Sequence, residues 1–381
     1  MFKGSIVVVF ALLLWSCGER EQFVLVQPPT ASSKAMLQKA SSNIIPGKYI
    51  IVFKDDVVDV ANLVSQLPKA HGAAVEHVYR HALKGFSANL PDAAVQRLQN
   101  DPRIKDIVPD AVVTVGPPPG KGPGGGSTGQ VTPWGVTRIG GPLDGPGKTV
   151  WGIDTGIDLD RPDLNVDVSR SANFVTRGKD SPDNGNGHGT HVAGTIGAID
   201  NDIDVVGVAA NATLMAVRVL DNSGSGSYSW VIAGVDYVTQ NASPGDVANM
   251  SLGGPPNDAL DDAIRAAAAK GILFAIAAGN DSDDANNYSP ARVEYPNVYT
   301  VSAIGEDDCL ASFSNWGNPP IEFAAPGVNI LSTKDGGGTT TLSGTSMAAP
   351  HVAGLLLFGT VNSDGTACND PDGNPDPIAF K

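Results

Sequence analysis

The chain has 381 residues, 41% apolar and 17% charged, with 25 Lys and Arg against 40 Asp and Glu and a formal net charge of −15. This composition excludes a disordered chain, and the length accommodates one large domain plus a small one. The acidic balance disfavours nucleic acid and anionic membrane surfaces as partners, and no internal run is long and apolar enough to span a bilayer.

The N-terminus reads MFKGSIVVVFALLLWSCGER. Lys3 followed by an apolar run over 6–15 is the pattern of an export signal. Leu14-Trp15-Ser16-Cys17 resembles a bacterial lipoprotein cleavage box, which implies a leader over 1–17 and a lipid anchor at Cys17. Plain secretion and an uncleaved anchor are the other two fates, and either way the chain is exported. Cys309 and Cys368 remain. In an oxidising compartment they pair, or they stay two separate thiols.

Residues 18–45 are polar and small, a tether. Over 46–115 the text alternates. Residues 49–53 form a strand, and Asp55 or Asp56 caps a helix carrying Val57, Val60, Leu63, Val64 and Leu67. Strands follow at 74–80 and 85–90. Pro91-Asp92 opens a helix with Ala94, Val95 and Leu98, and a last strand begins at Ile104 and runs towards Val115. The order βαββαβ is that of a small ferredoxin-like α+β unit. GPPPGKGPGGGSTGQ (116–130) cannot form a core, and as an exposed linker beside a folded unit it is a cleavable joint.

Beyond Pro133, strands at 149–153, 214–220, 246–252 and 272–277 alternate with helices at 229–241 and 258–270. Asn257 caps the second helix and Gly271 stops it. Such alternation predicts an α/β domain over 131–358, a mainly parallel sheet with helices on both faces and its site beyond the carboxyl ends of the strands. After Phe358, Gly359 ends a helix. The polar tail 359–381 is then packed as an extended segment, truncated or disordered.

Three segments carry chemistry. WGIDTG (151–156) ends an apolar strand on Asp154. GNGHGTHVAG (185–194) starts a helix at His188 among glycines. GTSMA (344–348) starts another helix with Ser346. A serine hydroxyl is a poor nucleophile unless a histidine takes its proton, and that histidine needs an acid to fix its tautomer. A helix N-terminus favours developing negative charge at Ser346. His188 and His191, three residues apart, lack the Glu and third ligand of a zinc site. His351, about 140° around the helix from Ser346, points away from it.

DTGI, NGHGTHVAG and SGTSMAAPHVAG, in that order, resemble the subtilisin-like serine proteases of the peptidase S8 family, closest to the proteinase K-type branch. The resemblance covers about 128–358. It implies a subtilisin-like sheet, with Asp154 orienting, His188 as base then acid, and Ser346 as nucleophile. AAGN (277–280) resembles the family's oxyanion segment, with Asn280 donating its side-chain amide beside the Ser346 N–H. Gly224, Ser225 and Gly226 resemble one edge of the substrate groove, and Ser251, Leu252 and Gly253 the other. The latter, with Ala277, Ala278 and Gly279, would wall a roomy pocket preferring apolar or aromatic side chains before the scissile bond. The βαββαβ unit resembles the inhibitor I9-type propeptide. It implies a monomeric zymogen that acts on polypeptides, is inhibited by its own propeptide and cuts itself within or near 116–130. The chemistry needs no cofactor. The Pro296 and Val298 carbonyls with Glu322 stand where the closest branch places a calcium site with an aspartate, so a structural calcium is implied.

Two rivals belong to other classes. One is a surface lipoprotein using an inactive protease scaffold for binding, which loss of a triad residue or of Asn280 would favour. All four are present. The other is an esterase, which would show a GxSxG elbow and the order Ser, Asp, His, neither of which occurs.

Overall fold

The computed structural model of the protein describes residues 43–116, 129–178 and 180–381. The leader, Cys17, most of the tether and residues 117–128 of the Gly/Pro segment lie outside the described residues.

The N-terminal unit runs β1 (Ile44–Phe53), α1 (Val60–His71), β2 (Ala74–Tyr79), β3 (Gly85–Asn89), α2 (Asp92–Leu98) and β4 (Ile104–Thr114). Its antiparallel sheet, ordered β4-β1-β3-β2, buries Ile51, Phe53, Phe86 and Ala88 against Leu63, Leu67 and Leu98 of the two helices. Two boundaries differ from expectation. The cap of α1 is Asp59, whose carboxylate accepts the Asn62 N–H at 2.9 Å, rather than Asp55 or Asp56. Val57 is buried, and a turn closed by its N–H on the Lys54 carbonyl sinks it before the helix starts. The first strand also reaches back into the supposed tether, because Ile44 pairs with Ala111 and the Asn43 carbonyl accepts the Val112 N–H.

The larger unit continues with α3 (Trp134–Arg138), β5 (Leu143–Asp144), β6 (Thr149–Asp154), β7 (Ala172–Asn173), α4 (His188–Gly197), β8 (Ala209–Ala210), β9 (Thr213–Arg218) and β10 (Ser225–Ser227). Next come α5 (Tyr228–Asn241), β11 (Val247–Met250), α6 (Asp258–Ala268), β12 (Leu273–Ala277), β13 (Val298–Ile304) and β14 (Ile321–Pro326). It closes with β15 (Ile330–Thr333), β16 (Thr339–Leu342), α7 (Thr345–Leu356), β17 (Asn362–Thr366) and β18 (Pro377–Phe380). The nine-stranded sheet is ordered β17-β18-β14-β13-β12-β11-β6-β9-β7, and only the β17–β18 pair is antiparallel.

Parallel strands buried on both faces read as continuous apolar runs because alternate side chains serve opposite cores. Leu214 and Ala216 join the core under α4 and α7, with Val192, Ile196, Met347 and Val352. Met215 and Val217 join the other, with Val231 and Val235 of α5 and Leu260 and Ile264 of α6. From β6 the sheet extends in chain order through β11, β12, β13 and β14 on one side, and through β9 and then the earlier β7 on the other. That switch point opens a crevice at the strands' carboxyl ends, where β6 delivers Asp154.

The polar tail packs as an extended pair on the sheet edge. β18 bridges β14 at Ala324↔Ile378, and Ala367 and Ile378 are buried with Ile304 and Ala324. Cys309 and Cys368 form a disulfide across a separation of 59 residues. Loop closure of that length is worth about 4 kcal/mol. The Cys309→Ser/Cys368→Ser variant should therefore lose about that much stability, read from the urea midpoint, and an unchanged midpoint would show that the tail's packing alone holds the edge.

Candidate active site

Asp154 leaves the end of β6 fully buried, and its Oδ1 accepts the Thr155 N–H at 2.6 Å. His188 opens α4, where Gly187 at φ 99° takes the left-handed conformation that glycine adopts without strain. The two side chains meet, with His188 Nδ1 at 2.8 and 3.0 Å from the Asp154 carboxylate oxygens. A carboxylate only accepts, so Nδ1 carries the proton and Nε2 is left as a free acceptor. Nε2 is buried and has no hydrogen-bond partner among the described residues. This close approach depends on Gly189, where a Cβ would lie 2.1 Å from the Gly156 carbonyl oxygen and 3.2 Å from Asp154 Oδ1.

Ser346 lies in the first turn of α7, which packs against α4. The N–H groups of a helix's first turn have no intrahelical acceptor and point towards whatever stands before the helix. Ser346 Oγ donates to the Ser251 carbonyl at 3.3 Å, so it rests on the groove edge rather than on His188. In return Ser251 Oγ donates to the Ser346 carbonyl at 2.9 Å.

Asn280 follows β12. Its Oδ1 accepts the Thr345 N–H at 2.8 Å and the Thr345 hydroxyl at 3.0 Å, which commits the amide oxygen to the start of α7 and frees Nδ2 for the crevice. Nδ2 stands 3.4 Å from where a Cβ on Gly344 would be and 3.9 Å from where one on Gly116 would be. Ala277 and Ala278 turn their methyls into the cores, so residues 277–279 offer a ligand mainly backbone. Asn315 holds this segment, donating to the Ala278 carbonyl at 2.9 Å and accepting the Asp281 N–H at 2.9 Å.

The other motif histidines are structural. His191 Nε2 donates to the Ile330 carbonyl at 3.0 Å, and burial pushes its pKa down to about 3. His351 Nδ1 donates to the Met347 carbonyl at 2.8 Å, with its pKa pushed down to about 4 by burial. Both are neutral imidazoles.

Several positioning residues escaped the sequence reading. Thr155 accepts the Gly189 N–H at 2.9 Å and donates to Asn184 Oδ1 at 3.1 Å, tying the end of β6 to the start of α4. Asn184 in turn accepts the N–H groups of Asn186 and Gly187. Only the polarity of these residues beside the motifs signalled them.

The groove is filled by the chain's own β4. Ser225, Gly226 and Ser227 pair antiparallel with Thr114, Val113 and Val112, making β10 the fifth strand of the N-terminal sheet. On the other edge Thr114 and Gly253 exchange both backbone bonds, at 3.3 and 3.2 Å. The Val115 N–H donates to the Gly224 carbonyl at 3.1 Å, and a Cβ on Gly224 would lie 2.8 Å from Val115 Cγ2. Gly224, Ser225, Gly226 and Gly253 thus line a strand-accepting slot, the geometry of strand addition. Leu252 is buried in the apolar cluster that also holds Val113, Leu220 and Tyr228.

Carboxylates clamp the two units together. Asp236 of α5 accepts the N–H groups of Arg80 (3.0 Å), His81 (2.6 Å) and Ala82 (2.7 Å). Asp110 of β4 accepts from Ser229 N–H at 3.1 Å and Oγ at 2.6 Å, in the first turn of α5. Glu76 takes Trp230 Nε1 at 3.2 Å and Thr176 Oγ1 at 2.7 Å. Losing the Asp236 carboxylate strands three N–H donors, at a cost on the order of 3 kcal/mol. Asp236→Ala in a Ser346→Ala background should lower the urea stability of the uncut precursor by about that amount, and an unmoved midpoint would mean the clamp is held elsewhere.

The fold and this crevice define a serine protease with a built-in inhibitory unit. The chain belongs to the subtilase family, whose model matches residues 145–358, and a peptidase inhibitor I9 model matches 48–115. It is similar to subtilisin-like protease 1 of Trichophyton rubrum, 36% identical over 358 residues that cover 86% of this chain and 68% of that protein. Subtilisin-like protease 1 of Arthroderma otae is 37% identical, covering 86% of this chain and 70% of its own. A crystal structure of a cold adapted subtilisin-like serine proteinase, 41% identical, matches 65% of this chain and 96% of its own with a TM-score of 0.57. The named relatives are fungal, so they lend no support to a bacterial source or to a lipid anchor at Cys17.

Proposed function

We propose that the protein is an exported serine endopeptidase made as a self-processing zymogen, acting as a monomer whose site is complete in one chain. The observation that carries this reading is the Asp154–His188 pair, bonded through Nδ1 with Nε2 buried and unpartnered among the described residues, packed beside the helix that presents Ser346. Ser346 Oγ rotates off the Ser251 carbonyl, loses its proton to His188 Nε2 and attacks the substrate carbonyl carbon. Asp154 stabilises the imidazolium without taking the proton. Asn280 Nδ2 and the Ser346 N–H receive the developing oxyanion. His188 then protonates the leaving nitrogen, and water hydrolyses the acyl-enzyme by the reverse sequence. Export rests on the leader sequence, and the wording of the three motifs supports the proteinase K-type branch.

Apolar and aromatic side chains before the scissile bond are the expected preference, and the burial of Val113 beside Leu220 and Leu252 supports a second apolar requirement upstream. The test is hydrolysis of peptide anilides by the matured protein. An apolar or aromatic residue next to the anilide should give the highest kcat/KM, and a preference for charged residues there would contradict the reading.

The triad chemistry needs no metal. A structural calcium held by Glu322 with the Pro296 and Val298 carbonyls is part of the proposal. Glu322 is largely buried, its charged neighbours Glu294 and Asp376 are acidic, and desolvation pushes its carboxyl up to about 8. Its Oε2 accepts the Thr300 N–H at 2.6 Å, and an all-oxygen set with the Pro296 and Val298 carbonyls suits a hard cation. Calcium should raise the melting temperature of the Ser346→Ala protein by several degrees over EDTA and leave Glu322→Gln unmoved. Equal shifts in both would place any calcium elsewhere.

A further inference from the structure

The strand that fills the groove carries an acid as well as apolar side chains. Val113 of β4 is buried beside Leu220 and Leu252, and three residues earlier Asp110 is fully buried on the first turn of α5. Asp110 Oδ1 accepts the Ser229 N–H at 3.1 Å and Oδ2 accepts the Ser229 hydroxyl at 2.6 Å. Val112 pairs with Ser227 at the end of β10, so the carboxylate contact continues the strand-accepting edge directly. We infer that Ser229 determines specificity in the matured protein. It receives the carboxylate of an Asp or Glu three positions before the side chain that a bound polypeptide seats where Val113 now lies. The inference rests on the protease reading above and adds an acidic preference to its substrates.

Both donors belong to the larger unit and remain when the N-terminal one leaves. An N–H in a helix's first turn has no intrahelical acceptor, and the positive end of the helix favours an anion there. The Ser229 hydroxyl supplies the second bond, and Ser227 Oγ lies 2.8 Å from it and holds its position. Lys48, whose Nζ stands 3.6 Å from Asp110 Oδ2, departs with the N-terminal unit, so a substrate carboxylate relies on Ser229. Register makes the contact selective. Ala111, the next residue of β4, is buried in the apolar cluster with Val113 and Tyr228. An acid moved one position forward therefore meets apolar side chains in place of two donors. A charge-assisted pair of hydrogen bonds of this kind favours a carboxylate over the matching amide by on the order of tenfold.

The experiment measures kcat/KM of the matured protein on end-labelled peptides. The parent is Asp-Ala-Val-Val-Thr-Val-Phe-Ala-Ala, compared with its Asn-first form and with Ala-Asp-Val-Val-Thr-Val-Phe-Ala-Ala, in which the acid is moved by one position. The Asp-first peptide should exceed the Asn-first one about tenfold, mainly through KM, and the moved acid should give no gain. Ser229→Ala, which keeps the N–H and loses the hydroxyl, should cut the Asp-to-Asn ratio to about threefold. Equal kcat/KM for the Asp-first and Asn-first peptides, an equal gain from the moved acid, or an undiminished ratio in Ser229→Ala overturns the inference. If Ser229→Ala does not mature, the three peptides on wild type decide alone. Fluorophosphonate labelling without hydrolysis of any peptide overturns the inference and leaves the protease reading standing. Neither labelling nor hydrolysis overturns the protease reading, and the inference with it.

Discussion

Replacing Ser346 with alanine should leave the precursor at full length and, once its N-terminal unit is removed by a second protease, should lower kcat by on the order of 10⁶-fold with little change in KM. Its hydroxyl is the only part of the side chain lost, and the resting contact it gives up, to the Ser251 carbonyl at 3.3 Å, is a long one. Stability should therefore hardly move. His188→Ala should cost about as much, and the double variant little more, because nucleophile and base work as a unit. Additive losses would mean that the two residues do not share a step. Residual hydrolysis should persist above the uncatalysed rate, since the slot formed by Gly224–Gly226 and Gly253 and the Asn280 amide are untouched.

Asn280 carries the second large effect. Asn280→Ala should lower kcat by about 100- to 1,000-fold, equivalent to ~2.7–4 kcal/mol, while KM stays nearly constant. The constancy of KM is the diagnostic, because the donor acts on charge that exists only in the transition state. Alanine also removes the acceptor for the Thr345 N–H and hydroxyl, which loosens the start of α7 and adds to the loss. Asn280→Asp separates the two contributions. It keeps the acceptor for Thr345 and lacks the donor, so it should be as inactive as the alanine variant with an undiminished melting temperature. Activity near wild type in Asn280→Asp would remove Asn280 from the oxyanion site.

Much of the fold and site is legible in the chain because the residues concerned obey local rules. Asp154 ends an apolar run, Asn257 caps α6 through the Leu260 N–H at 3.0 Å, and Gly271 stops it at φ 88°. The αL or strand-end position is written in the residue type itself. The βαββαβ order is likewise readable from period and turn residues. The misses share a cause, which is that the deciding contact is distant in sequence. Asp59 rather than Asp55 or Asp56 caps α1 because of where Val57 is buried. For the tail 359–381 and the two cysteines the sequence left alternatives open, and packing as an extended segment and pairing are decided only in three dimensions, where Ile378 finds Ala324 and Cys368 finds Cys309. Thr155, Asn184 and Asn315 look like ordinary loop residues. Thr155 and Asn315 work by satisfying backbone groups of another segment, and Asn184 by joining the Thr155 hydroxyl to the Asn186 and Gly187 N–H groups, which no local pattern announces. Asp236 and Asp110 look like lone acids on a helix and a strand until the two units dock.

The central claim is that Ser346, activated by His188, is the nucleophile of this chain. The most direct measurement is intact and peptide mass analysis after reaction with a fluorophosphonate, run on matured wild type, Ser346→Ala and His188→Ala. One phosphonyl group per molecule is predicted, on the peptide containing Ser346, with no adduct in Ser346→Ala and strongly slowed labelling in His188→Ala. An adduct on any other residue, or equal labelling of wild type and Ser346→Ala, would contradict the account.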